Sequence, residues 1–154
     1  DAPVAVADVG GTVAEGGTLS GQPNVLTNDT DAESDPLTAT LVTDVANGTL
    51  ALSSDGSFTY THDGSETTED TFTYKASDGA LDSNTVTVTI TVTPENDAPV
   101  AAADVGGTVA EGGTLSGQPN VLTNDTDAEN SPLTATLVAD VANGTLALSS
   151  DGRS

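Results

Sequence analysis

Cysteine, methionine and tryptophan are absent from this sequence of 154 residues, and basic residues are almost absent. Without cysteine, the chain cannot form disulfides, thiolate zinc sites or a cysteine nucleophile. Lys75 and Arg153 oppose 24 acidic residues, which gives a net charge of -22 at pH 7. We do not expect nucleic acids or anionic membrane surfaces as partners, because both need clustered Lys or Arg. We therefore expect a cation, bound through oxygen ligands.

Long apolar runs and an initiator methionine are also absent. We expect no direct membrane insertion, because a spanning helix needs about 20 consecutive apolar residues. The sequence shows no signal peptide either, so we interpret it as a piece of a larger protein. Residues 153–154, an Arg-Ser pair, resemble a cloning scar.

The strongest feature of the sequence is an internal repeat. The segment that starts at Asp1 recurs at Asp97, a period of 96 residues, and the match continues to residue 152 with four differences. A period of this length is too long for a solenoid unit and suits a self-contained sandwich domain. We predict a complete sandwich repeat at 1–96, a linker at 93–99 and a truncated second copy at 97–152.

Residues 85–93 alternate threonine with valine or isoleucine, the pattern of a half-buried strand. Shorter alternating runs, each bounded by Gly, Asn, Asp or Pro, and two weaker segments bring the count to about seven. No stretch has a helical apolar period. The predicted fold is an all-β, immunoglobulin-like antiparallel sandwich with Greek-key connections. The other six predicted strands lie near 4–13, 18–26, 37–42, 49–52, 57–61 and 71–75.

The four aromatic residues of the sequence all lie within 57–96. The second copy therefore lacks every large core residue, and we expect that 97–152 cannot fold alone. Because 1–56 and 97–152 are nearly identical, either segment could complete the sandwich with 57–93. Exchange within one chain and a strand-exchanged dimer both remain open, because loop-closure entropy does not separate them.

The acidic residues avoid the middles of the predicted strands and gather in the loops. Clustered carboxylates repel one another by about 1 kcal/mol per close pair in water, so such loops need a counter-ion. Calcium, with six to eight oxygen ligands in flexible geometry, suits them better than magnesium. An EF-hand is excluded, because the loop at 29–35 lacks the turn glycine and the closing glutamate.

Residues 75–99 resemble the last two strands and the acidic linker of a cadherin repeat. Residues 14–19 are similar to the cadherin P-E motif, and residues 25–31 to its A-T-D-x-D loop. The period and the near-perfect repetition resemble the bacterial cadherin-like and VCBS-type repeats of giant secreted RTX adhesins. That resemblance implies an extracellular extender module on a bacterial surface, used in adhesion or biofilm formation. Its neighbours in the chain would be further repeats, joined through calcium.

The resemblance also implies the calcium ligands. The end of the first repeat would contribute Glu15 and one or more acids from residues 63–70, with Glu69 and Asp70 chosen among these. The linker would add Glu95, Asn96 and Asp97, and the second copy Asp125 and Asp127. The equivalent loops at the start of the first repeat would hold only a partial site, formed by Asp1, Asp29, Asp31 and Asp78.

Catalysis is not expected. His62, the single histidine, has no predicted nucleophile near it and is assigned to a turn or the surface. Two alternatives to a spacer remain: a module that binds a glycan or a surface protein, and a homophilic adhesion module.

Overall fold

The computed structural model describes residues 1–22 and 24–154. The chain divides into two units, Asp1–Glu95 and Asn96–Ser154. All the strands assigned in the described residues belong to the first unit. They are β1 Asp8–Ala14, β2 Thr18–Leu19, β3 Thr38–Thr43, β4 Gly48–Leu52, β5 Phe58–His62, β6 Glu69–Ser77 and β7 Val86–Thr93.

The first unit is a sandwich of two sheets. One sheet has the strand order β1-β7-β6-β3 and the other the order β2-β5-β4. Strand β1 runs parallel to β7, and every other pairing is antiparallel. The prediction of an all-β, immunoglobulin-like sandwich of about seven strands is confirmed.

The core forms where the inward residues of the two sheets meet. In β7, Val88, Ile90 and Val92 are buried, as their alternation with threonine predicts. Phe58 of β5 and Phe72 of β6 contact across the core, with ring centroids 5.3 Å apart and an interplanar angle of 65°. This edge-to-face packing joins the two sheets.

The paired glycines in β1 form a β-bulge. The register between β1 and β7 shifts between Val9 and Gly11, and Gly11 has a φ of 112°. A Cβ added at Gly10 would lie 2.9 Å from side-chain atoms of both Val88 and Ile90. Glycine therefore lets β1 approach β7 closely at this point.

The predicted strand at 18–26 is much shorter than expected. Only Thr18–Leu19 pairs with β5, and residues 25–28 form a turn instead. Asn24 stabilises this turn, because its side-chain oxygen accepts a hydrogen bond from the Leu26 amide at 2.8 Å. Residue 23 of that predicted strand lies outside the described residues.

In the second unit, no described residue belongs to an assigned strand. Several of its apolar residues are more exposed than their equivalents in the first unit: Val109 is 54% exposed, whereas Val13 is 6% exposed. This is the environment expected of a half-repeat without its aromatic partners. That the segment cannot fold alone stays a prediction.

Candidate metal-binding ends of the first unit

We define the carboxyl-terminal end of the first unit as the end where β1, β5 and β7 finish. Glu15 follows β1, and its amide donates to the carbonyl of Thr93 at 2.9 Å. Its Oε2 accepts a hydrogen bond of 3.3 Å from the amide of Glu95. A carboxylate oxygen of Glu66 lies within 4.8 Å of one from Glu15. The structure therefore brings together Glu15 and Glu95, both predicted from the sequence, and adds Glu66 from the group of acids at 63–70.

The other two acids predicted at this end lie in different environments. Glu69 is the first residue of β6, is exposed and pairs with Thr91. Asp70 is 4% exposed and points into the sandwich. Strand alternation explains the difference, because neighbouring residues of β6 face opposite sides of the sheet.

The carboxylate of Asp70 is fully occupied by donors from its own domain. Its Oδ1 accepts hydrogen bonds from the amides of Ala46 at 3.0 Å and Thr71 at 2.8 Å. Its Oδ2 accepts from the Asn47 amide at 2.8 Å and the Tyr60 hydroxyl at 3.0 Å. Four donors fill the four lone-pair positions of a carboxylate. Asp70 thus holds the β3–β4 loop to the core, and we place it outside the metal-binding set.

The electrostatics of Asp70 agree with this arrangement. Burial alone raises the pKa of a carboxyl group, but the backbone amides that donate to Asp70 outweigh it and hold its pKa below the ordinary value. Burial and the neighbouring carboxylate together raise the pKa of Tyr60. The fold therefore contains an ionised Asp70 beside a neutral Tyr60.

His62 is buried, which corrects its expected position in a turn or on the surface. It is the last residue of β5 and is 2% exposed. Its Nδ1 accepts hydrogen bonds from the amides of Gly16 at 3.1 Å and Gly64 at 3.2 Å. An Nδ1 that accepts leaves the ring proton on Nε2, which lies 2.8 Å from Thr67 Oγ1. His62 therefore fixes the two loops that carry Glu15 and Glu66.

At the opposite end of the unit, two carboxylates meet at one buried hydroxyl. The Tyr74 hydroxyl lies 2.7 Å from the Val25 carbonyl, 2.9 Å from Asp29 Oδ2 and 3.0 Å from Asp8 Oδ2. Burial raises the pKa of Asp8, and the nearby charge of Asp29 adds to this effect. Asp29 is thus part of a structural cluster with Asp8, a residue that no sequence pattern marks as a ligand.

Asp31 and Asp78 shape the loops at this same end. Asp31 Oδ1 accepts from the amides of Glu33 at 3.0 Å and Asp35 at 2.9 Å, whereas its buried Oδ2 has no hydrogen-bond partner. Asp78 Oδ1 accepts from two amides of its own loop, and these bonds lower its pKa. Of these acids, Asp31 has the oxygen most available to a cation.

The predicted ligands of the second unit are arranged as in the first. The Asp97 amide donates to Glu129 Oε1 at 2.7 Å. Asp125 Oδ1 accepts from the Ala102 amide at 2.8 Å, as Asp29 Oδ1 accepts from Val6. Asp127 Oδ1 accepts from Ser131 at 2.7 Å. Asn96 is exposed, and its side-chain amide donates to the carbonyl of its neighbour at 3.0 Å.

The donors available at both ends are carboxylate and carbonyl oxygens, which suit a hard cation such as calcium. Glu15, Glu66 and the free Oδ2 of Asp31 fit that requirement. The described residues contain no helix long and apolar enough to cross a bilayer.

Comparison with known proteins gives two family matches. Residues 1–94 match the bacterial cadherin-like domain, and residues 96–154 match the bacterial Ig domain. Domains of these kinds are typically extracellular and suggest an adhesion-type module, and cadherin-like domains typically bind calcium. No curated protein matches the chain.

Among solved structures, the chain is similar to part of an endo-fucoidan hydrolase, MfFcnA4 from glycoside hydrolase family 107. A single-substitution variant of that enzyme matches with 23% identity and a TM-score of 0.48, over 65% of this chain and 16% of that one. The unsubstituted enzyme matches with 25% identity and a TM-score of 0.34, over 61% of this chain and 13% of that one. The chain therefore spans less than a fifth of either enzyme. Its family is given by the match over residues 1–94: the chain belongs to the bacterial cadherin-like domain family.

Proposed function

We propose that the chain is a structural extender module of a large secreted bacterial adhesin of the RTX type, with VCBS-like repeats. In this proposal calcium binds where one repeat joins the next and converts a flexible string of domains into a stiff spacer. The observation that carries it is the meeting of Glu15, Glu66 and the Glu95 amide at the end where β7 leaves the sandwich.

The energetics support a role for the ion. Two carboxylates within 4.8 Å of one another repel by about 1 kcal/mol in water. A site with a dissociation constant near 0.1 mM would stabilise the folded state by about 1.4 kcal/mol at 1 mM calcium. Several such sites along an array would approach the whole stability of a small domain.

The same proposal assigns no catalytic role to the chain. His62 is buried and both of its ring nitrogens are used in hydrogen bonds within the domain. The aromatic residues that a glycan-cleaving cleft would need are core residues here, because Phe58, Tyr60, Phe72 and Tyr74 are all buried. The proposed partners are neighbouring repeats and calcium.

A calcium titration of the whole chain tests the proposal, with the melting temperature and the radius of gyration from small-angle scattering as readouts. We expect both to rise between EDTA and millimolar calcium. The variant Glu15→Gln/Glu66→Gln should lose most of that response. The matched control Asp82→Asn, which changes an exposed carboxylate beyond the other end of β6, should keep it.

The proposal fails if melting and scattering are the same in EDTA and in calcium. It also fails if the double variant responds to calcium as the unchanged chain does.

A further inference from the structure

The first and the last strand of the first unit are hydrogen-bonded neighbours that run in the same direction. Strand β1 pairs with β7 from Asp8, opposite Val88, to Ala14, opposite Thr93. Both strands therefore begin at one end of the sandwich and finish at the other. Residues 1–7 precede β1 and the linker follows β7, so tension along the chain pulls the start of β1 and the end of β7 in opposite directions.

This geometry decides how the pairing breaks under tension. Hydrogen bonds between parallel strands are evenly spaced along the strands. A pull that slides β1 along β7 loads all of them together, whereas a pull that separates the two strands from one end breaks them one after another. Because many bonds must fail at once in the first case, rupture there needs the higher force.

The stronger part of this pairing lies beyond the β-bulge. The register shift between Val9 and Gly11 leaves two residue pairs ahead of the bulge and four after it. Two more hydrogen bonds extend the second part, from the Glu15 amide to the Thr93 carbonyl at 2.9 Å and from Thr93 Oγ1 to the Val13 carbonyl at 3.2 Å. Val13 is buried, and a hydrogen bond is stronger where water is excluded.

The segment ahead of β1 is held in a different way. Val4 and Thr30 exchange two backbone hydrogen bonds of 2.7 and 3.0 Å. The backbone of Ala5 exchanges two more with the side chain of Asn84, of 3.1 and 2.9 Å. These contacts follow one another along the chain, so a pull on the residues ahead of them breaks them in sequence.

We propose that the pairing of β1 with β7 is the force-bearing element of the module, and that residues 4–7 form a latch that opens before it. The use of such an element rests on the proposed function, since a spacer that projects a distal binding domain transmits tension. The resistance to force follows from the direction of the two strands and needs no ion.

Pulling experiments on single molecules test the proposal, because the chain has no cysteine of its own and handles can be attached at chosen positions. Ala2→Cys/Pro94→Cys places the handles ahead of β1 and after β7, so the pull slides the strands past each other. Ala2→Cys/Ala80→Cys places the second handle between β6 and β7, so the same residue pairs open from one end. All three positions are exposed and lie outside both strands.

In EDTA we expect the main rupture force to be several-fold higher for the first variant than for the second at the same loading rate. Forced unfolding is governed by the rate of unfolding and not by stability, so the two variants should differ in force although their melting temperatures are the same. Equal rupture forces in the two directions would overturn the proposal. A chain that keeps the difference in force but shows no response to calcium would overturn only the proposed role of calcium.

A substitution separates the latch from the force-bearing pairing. Asn84→Ala removes both bonds to Ala5 and leaves every residue of β1 and β7 unchanged. Pulled through residues 2 and 94, the chain should first lengthen by roughly 10–20 Å as residues 3–7 straighten. With Asn84→Ala this first step should need less force, and the main rupture force should stay the same. Absence of the first step would rule out the latch, and a main rupture force that falls with Asn84→Ala would contradict the assignment of the load to β1 and β7.

Discussion

The buried carboxylate of Asp70 provides the sharpest test of how this sandwich is held together. Asp70→Asn keeps the shape of the side chain but replaces one oxygen, which accepts, with an amide group, which donates. If the new NH2 group takes the place of Oδ2, the amide of Asn47 loses its acceptor. If it takes the place of Oδ1, the amides of Ala46 and Thr71 lose theirs. The substitution also removes the charge that strengthens the remaining bonds.

The expected loss of stability follows from these contacts. A buried amide without an acceptor costs about 1–3 kcal/mol, and exchanging charged for neutral acceptors costs about 1 kcal/mol more. We expect Asp70→Asn to lower the free energy of unfolding by about 2–4 kcal/mol. For a domain of this size the melting temperature should fall by roughly 10–30 °C.

Calorimetry in EDTA measures this loss against two controls. Tyr60→Phe removes one donor to Asp70 and should cost about 1 kcal/mol. Asp44→Asn changes an exposed carboxylate in the same loop and should alter stability by less than about 0.5 kcal/mol. An Asp70→Asn variant that melts within about 2 °C of the unchanged chain would refute the reasoning.

The pH dependence of the same variant provides a second check. Because the pKa of Asp70 is lowered in the folded state, its contribution is present above the unfolded pKa, about 3.9, and is lost as the pH falls through the folded value. The difference in melting temperature between the unchanged chain and Asp70→Asn should therefore shrink in acid. The calcium response should be the same in both proteins, and its loss in Asp70→Asn would make this residue a calcium ligand.

Two further substitutions test particular contacts. Burial raises the pKa of Asp8 in the folded state, and the charge of Asp29 adds to this effect, so ionisation of Asp8 costs stability at neutral pH and the cost disappears as the pH falls. Asp8→Asn should therefore raise the melting temperature at pH 7 in EDTA and leave it unchanged near about pH 3. A lower melting temperature at pH 7 would contradict this. Gly10→Ala places a Cβ 2.9 Å from the Val88 side chain and should cost about 1–3 kcal/mol in denaturant titration. Gly106→Ala is its matched control, because a Cβ there meets nothing within 4 Å; equal losses for the two variants would rule out the close contact as the cause.

The strands could be predicted from the sequence wherever alternation was strict. Residues 85–93 predict β7 within a residue of its observed bounds, and the aromatic pairs predict β5 and β6. The segment at 18–26 could not be predicted, because Asn24 caps a turn there through its own side chain. Such a local hydrogen bond competes with strand pairing and leaves no periodic trace.

Asp70 and His62 are buried although they were expected in loops or at the surface, and the sequence contains the signal for this burial. Asp70 precedes Phe72 by two residues, and His62 follows Tyr60 by two. Extending the alternation by one step places both side chains on the inward face. Because Asp70 and His62 are polar, the sequence favours loop or surface positions for them. The structure shows that both side chains accept hydrogen bonds from backbone amides, which makes a polar group stable in the core.

The candidate site at the carboxyl-terminal end depends on one of these residues, His62. The spacing of Glu15, Glu66 and Glu95 in the sequence does not predict that they meet, since they belong to three different segments. They meet because His62 accepts from the amides of Gly16 and Gly64 and so fixes the loops on both sides.

This arrangement separates two contributions to the behaviour of the domain. Asp70 and His62 hold the loops at this end through hydrogen bonds that need no ion. Glu15 and Glu66 place carboxylate oxygens within 4.8 Å of one another at the surface of the same end. Because these loops are already ordered without an ion, calcium binding would order little further backbone within the sandwich. At about 1.4 kcal/mol per site, calcium should raise the melting temperature by roughly 6–11 °C per site, and we expect its main structural effect on the linker that follows Glu95, where the scattering measurement is the more sensitive readout.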